Sequence, residues 1–177
     1  MNSLLSGFTL RTKLPLLLSV LIATISQVAA KNLPDPSSGC QLTVADDWAI
    51  VNPPAPGGYA VEAVKGDHTK AVEVFVEPVS STASTDTNSP LVQGIESGYQ
   101  KSGGKIVSCN NQKLNDITFC VLTGTQDNGK GNVIQTTLWM TVAAGHMYEV
   151  CLYDFGGDPA KDAELTAALN SFSISAK

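Results

Sequence analysis

Residues 133–154, VIQTTLWMTVAAGHMYEVCLYD, decide how this chain folds. The run Val133 to Ala143 is rich in β-branched and aromatic side chains, which suit a pleated strand, and it reads as the longest strand of the chain. Strand alternation places Ile134, Thr136, Leu138, Met140 and Val142 on one face and Gln135, Thr137, Trp139 and Thr141 on the other. The first face is apolar enough to pack on a core, whereas the second is only partly apolar and reads as semi-exposed. Gly145 then turns the chain into a second strand, His146 to Tyr153.

Working outward, the same signals recur. Lys105–Gln112 and Ile117–Thr125 are strands around a short turn near Leu114-Asn115. Residues 127–132, DNGKGN, make a tight connection whose Asn-Gly pair favours the positive φ of a hairpin turn. Upstream, Tyr59–Val64 and Ala71–Val79 form a hairpin through the polar turn KGDH at 65–68, and Cys40–Ile50 is a short strand with a turn around Asp46-Asp47. Residues 52–58, NPPAPGG, cannot join a ladder, and Ser80–Asn88 has no apolar anchor and reads as a mobile loop.

Ser89-Pro90 supplies a helix cap and the residue best suited to the first helical position. Leu91, Ile95 and Tyr99 then share one helical face until Gly103-Gly104. Asp158-Pro159 reads as a second helix start, with Asp162 and Glu164 where the helix dipole favours acid and Leu165, Ala168, Leu169 and Phe172 as the apolar stripe. Ser173–Ser175 leaves that helix as an extended end. Paired strands, a helix, more hairpins and a closing helix make an α+β domain: an antiparallel sheet of six to seven strands with helices packed on its faces.

The N-terminus concerns destination. Arg11 and Lys13 precede an apolar run, Leu14 to Val28, that closes on Ala29-Ala30, the pattern of a signal peptide cleaved after Ala30. The run is about 15 residues long, short of the ~20 needed for a permanent span. Residues 1–30 therefore read as a leader, 31–39 (KNLPDPSSG) as a flexible mature N-terminus, and 40–177 as one domain exported to the periplasm or the medium. Two of the 11 basic residues lie in the leader, so nine remain against 16 acidic ones and the exported chain carries a net charge of −7. That balance disfavours nucleic acid and anionic lipid; it would suit a basic protein partner, but solubility alone accounts for the acidity of many exported proteins.

All four cysteines follow the leader, and an even number in an exported chain reads as disulfides. Cys109 and Cys120 flank the predicted hairpin symmetrically and pair, which leaves Cys40 with Cys151. Zinc is the rival use, but no C-x-x-C pair is present. Ser38-Gly39-Cys40 resembles a lipid-attachment site, yet residues 31–39 separate Cys40 from the leader.

No residue cluster names a reaction. His68 follows Asp67 in a predicted turn and would need Asp46 or Asp47 to hold a metal; His146 also sits beside a turn. The 127–132 loop lacks the alternating oxygen ligands and closing glutamate of a calcium site. There is no Gly-x-Ser-x-Gly elbow and no glycine-rich phosphate loop, and the 11 aromatic residues are too scattered to suggest a sugar platform. No catalytic residue, cofactor, nucleotide or metal is expected, and the chain reads as a non-catalytic domain. A hydrolase whose cleft is invisible in sequence is the remaining alternative.

The segments CQLTVADDW (40–48), AVEVFVEPV (71–79), SPLVQGIESGYQKSGGKIV (89–107), ITFCVLTGT (117–125), VIQTTLWMTVAAGHMYEVCLYD (133–154) and AELTAALNSFSIS (163–175) resemble, in that order, the PsbP-like and DcrB-like family of α/β/α sandwich domains. The likeness covers nearly all of residues 40–177. It implies a soluble accessory partner of an envelope protein or membrane-associated complex. Its DcrB-like side implies instead a carrier of a lipid or hydrophobic peptide segment. The contact surface expected on either reading is the outer face of the long strand, Gln135, Thr137, Trp139 and Thr141, with Trp139 as anchor.

Overall fold

The hairpin of residues 133–154 lies inside a seven-stranded antiparallel sheet. The computed structural model describes residues 30–35, 37–51, 59–127 and 133–175. Its strands are β1 (Ala30–Asp35), β2 (Cys40–Ala45), β3 (Trp48–Ile50), β4 (Tyr59–Lys65), β5 (Lys70–Pro78), β6 (Gly104–Leu114), β7 (Ile117–Asp127), β8 (Val133–Ala143), β9 (His146–Asp154) and β10 (Ser173–Ile174). The helices are α1 (Pro90–Lys101) and α2 (Ala163–Ser171). The large sheet runs β3-β4-β5-β9-β8-β7-β6, and a second, three-stranded sheet runs β1-β2-β10. Local periodicity gives no sign of this small sheet, and β8 shares its length of 11 residues with β6 and β7. The leader up to residue 29, the 52–58 loop and the Asn-Gly turn lie outside the described residues.

Turn chemistry sets the register. Ala144 and Gly145 join β8 to β9 with φ of 51° and 77°, and Asn115 and Asp116 join β6 to β7 with φ of 48° and 65°. Paired positive φ values match the right-handed twist of the flanking strands. The Asp46-Asp47 turn does something different: it carries the chain from the small sheet to the large one, and Trp48 enters the core directly after it.

The main core lies between the large sheet and a layer made of α2 and the small sheet. Leu42, Val44 and Trp48 meet Val72, Val74, Phe119 and Tyr148 there, closed by Leu165, Leu169 and Phe172. Tyr148 donates its hydroxyl to the Ser38 carbonyl at 2.8 Å, tying the two sheets together. On the opposite face α1 buries Val92 against Cys120, Leu122, Leu138, Met140 and Cys151. The Tyr99 ring lies flat on Gly104 and Gly124: a Cβ at Gly124 would come within 2.6 Å of it. Gly94 and Gly98 of α1 face open space instead.

Two expectations need correction. Residues 31–39 are not a loose tail. Residues 30–35 form β1, Leu33 is buried, and Lys31 Nζ donates to the Trp48 carbonyl at 2.8 Å. Pro34 obscured this in sequence, yet β1 is an edge strand, where a missing N–H is tolerated. The second helix starts at Asp162, not at Asp158-Pro159. Asp162 accepts from the backbone of Glu164 and Leu165 at 3.0 and 2.9 Å, whereas Asp158 closes a short turn onto Ala160 and Lys161. The Ser80–Asn88 loop is fastened by side chains rather than by apolar anchors: Ser84 Oγ donates to Asp86, and Ser89 Oγ to the Ser84 carbonyl.

Candidate partner-binding face

The expected contact surface is mostly interior. Thr137 and Thr141 are buried, and Thr141 Oγ1 donates to the Thr118 carbonyl at 3.0 Å. Trp139 packs edge-on against Phe119 at 5.6 Å and lines a cleft of about 200 Å³ with Leu114, Leu152, Thr166 and Leu169. Its Nε1 is buried with no hydrogen-bond partner among the described residues. Gln135 alone of the four is exposed. Alternation separates the two faces of β8 correctly. It does not reveal that α2 closes over this one.

The cysteines also divide by face. Cys40 belongs to the core between the two sheets, where Ser38 Oγ donates to its Sγ at 3.2 Å. Cys151 belongs to the cluster under α1, on the far side of the large sheet. The expected Cys40–Cys151 bond is therefore excluded by the sheet that separates them. Cys109 and Cys120 are free thiols with sulfurs 3.2 Å apart. His68 stands exposed in the β4–β5 turn, Asp47 turns to Lys65 at 2.7 Å, and His146 Nδ1 bonds to the Ala144 carbonyl at 3.1 Å.

A different surface has the chemistry of a binding face. Alternation along β4, β5 and β9 puts Glu62, Glu73, Phe75, Glu77, Glu149, Cys151 and Tyr153 on the α1 side of the large sheet. The helix is seated over the β6–β8 end: Cys151 is buried in its cluster, Phe75 and Tyr153 pack against that cluster, and the glutamates share the same side of the sheet. Glu62 lies opposite Glu73, and Phe75 opposite Glu149. Tyr153 hydrogen-bonds to the Glu73 carboxylate, and Cys151 Sγ donates to Glu149 Oε1 at 3.4 Å. Phe155 stacks on Tyr153 at 6.4 Å with the rings 7° from parallel, and remains 45% exposed.

These positions on β4, β5 and β9 hold no lysine or arginine. Lys65 and Lys70, at the ends of β4 and β5, point to the opposite side, where they pair with Asp47, Asp162 and Glu164. Burial pushes the Glu73 carboxyl above the usual range, and the charges of Glu62 and Glu149 add to it, partly offset by the Tyr153 hydrogen bond. Burial likewise raises Glu149, with Glu77 contributing and the Cys151 hydrogen bond opposing. The Cys151 thiol, fully buried beside Glu149 and Glu73, is held well above its ordinary value and stays protonated. Its neutral, inaccessible sulfur is no nucleophile. The sequence carried a signal for this face: in AVEVFVEPV the valines fall on one side and Glu73, Phe75 and Glu77 on the other.

In fold, the chain is similar to cyanobacterial PsbP from Synechocystis, with a TM-score of 0.61 and 11% identity over 86% of this chain and 96% of that one. A crystal structure from Bacteroides thetaiotaomicron matches with a TM-score of 0.58 and 13% identity over 83% of this chain, which spans 49% of that protein. LpqN, described as involved in cell envelope biogenesis of Mycobacterium tuberculosis, matches with a TM-score of 0.52 and 15% identity over 84% of this chain and 91% of its own. No family model and no curated protein matches the sequence. The domain is an α+β sandwich with the PsbP-like fold.

Proposed function

We propose that this chain is exported and serves as a non-catalytic accessory domain, binding a basic, partly apolar segment of an envelope protein on the β4–β5–β9 face. One observation carries the reading: half-buried Glu73 and Glu149 lie among Phe75, Tyr153 and Phe155 with no basic side chain at the face positions of those strands. Like charges held partly out of water favour an incoming cation, and the aromatic rings supply apolar contact beside it. The leader-like residues 1–30 and the net charge of −7 support the same reading. So does the envelope role that LpqN's description gives to a protein of this fold.

The test uses two synthetic amphipathic peptides of equal apolar content, one lysine-rich and one glutamate-rich, titrated against the purified chain at several salt concentrations. The lysine peptide should bind, weaken as salt rises, and lose at least roughly tenfold in affinity to a Glu73→Gln/Glu77→Gln variant that melts no lower than wild type. Binding of the glutamate peptide, or binding indifferent to the substitutions, overturns the proposal. A second reading has its own observation: an apolar groove of about 360 Å³ between β2 and α2, lined by Ala45, Trp48, Ala163, Ala167 and Ala168. It suits a lipid or hydrophobic segment, and its signature is salt-independent uptake of a fluorescent fatty acid, blocked by Ala167→Trp.

A further inference from the structure

We infer that Cys109 and Cys120 are the site of a single intramolecular disulfide, and that Cys40 and Cys151 persist as buried thiols in the exported protein. Cross-strand register carries the first half. Cys109 lies opposite Leu122 and Cys120 opposite Asn111, so the two side chains share the α1 face as diagonal neighbours, and their sulfurs already stand 3.2 Å apart. Bond formation requires the sulfurs to approach by roughly 1 Å, within the reach of side-chain rotation. The large sheet carries the second half, because Cys40 and Cys151 lie on its opposite sides.

The accessibilities set the order of events. Cys109 is half-buried and Cys120 fully buried, so an incoming oxidant meets Cys109 first. The oxidant is a protein or small-molecule disulfide of the thiol–disulfide exchange class. The Cys109 sulfur attacks it, forming a mixed disulfide and releasing one thiol. Cys120 then attacks the Cys109 sulfur, which breaks the mixed bond and releases the second thiol. The two protein thiols lose two electrons and two protons, and the oxidant's two sulfurs end as thiols.

Burial, together with Cys120 and Glu96 alongside, pushes the Cys109 thiol up to about 12. Such a thiol is mostly protonated at neutral pH, so closure is slow unless catalysed, and it accelerates with rising pH. It is also a poor leaving group, so the bond once formed resists reduction. This is the profile of a structural staple on the sheet-edge hairpin β6–β7, not of a labile switch.

The inference rests on the export reading, and two measurements separate their failures. Trypsin cleaves after Lys113, between the two cysteines, giving IVSCNNQK (106–113) and LNDITFCVLTGTQDNGK (114–130). In protein recovered from its native compartment without reductant, these peptides should run as one linked species, while Cys40 and Cys151 take up an alkylating label only after unfolding. Any bond to Cys40 or Cys151 overturns the inference. The same chain, made reduced and equilibrated in an oxidising glutathione buffer at pH 8.5, should form the same link and melt roughly 5–10 °C higher than its reduced form. Failure to close in that buffer overturns the disulfide itself. Closure there, with four free thiols in the native protein, overturns export.

Discussion

Trp139 shows how much one residue's role depends on what lies above it. Its ring fills space between Phe119 and the residues of α2, while its Nε1 is buried without a partner. The two contributions oppose each other: ring packing stabilises, and a buried unpaired N–H costs. Trp139→Ala should lower stability by about 3 kcal/mol in chemical denaturation. Trp139→Phe removes the unpaired donor but keeps an aromatic ring, and should stay within about 1 kcal/mol of wild type. A large loss in the phenylalanine variant would mean that Nε1 has a partner in solution. Alternation identified Trp139 as lying opposite the Leu138 face, since period two is a property of the strand alone. It gave no sign of the covering helix, which comes from residues more than twenty positions away.

At the scale of the element, α2 is held at its first turn. Asp162 caps the helix through two backbone N–H groups and also pairs with Lys70 Nζ at 2.6 Å. Glu164, in the same first turn, meets both Lys65 and Lys70, so the hairpin β4–β5 is tied to the helix that covers it. Burial alone would raise the Asp162 carboxyl, but the Lys70 hydrogen bond and the capped N–H groups outweigh it and hold the carboxyl below its usual range. A folded value below the unfolded one contributes stability above the ordinary aspartate range, and that stability is lost as pH falls through the folded value. Asp162→Ala should therefore cost about 1–2 kcal/mol at pH 7, with the gap to wild type closing in urea melts below pH 4. Asp162→Asn keeps the cap and should recover about half of the loss. Two similar acids, Asp158 and Asp162, compete for the start of this helix in sequence. The choice falls to Asp162 because a helix begun there buries Leu165, Ala168 and Leu169 in the main core.

Across the whole molecule the acidic face and the α2 clamp respond oppositely to pH. Glu73 and Glu149 have folded values raised above the ordinary glutamate range, mainly by burial. Their contribution is fully present below that range and is lost as pH rises through the folded values, so at neutral pH both ionised groups cost stability. Glu73→Gln and Glu149→Gln should each raise Tm by roughly 2–4 °C at pH 7 and leave it nearly unchanged at pH 4, which calorimetry at the two pH values will read. Sites kept at such a cost are often functional, which fits the proposed partner face. The sequence by itself determined the long strands of the large sheet, the turns that join β4 to β5, β6 to β7 and β8 to β9, the α1 cap at Ser89-Pro90 and the α+β class, because these follow from local periodicity and turn chemistry. Only the tertiary structure decided which face α2 covers, that residues 30–35 complete a second sheet, that Cys40 and Cys151 lie on opposite sides of the large sheet, and that glutamates from β4, β5 and β9 converge on one surface. Those outcomes depend on pairing between segments far apart in the chain, and no local pattern encodes the partner across a sheet.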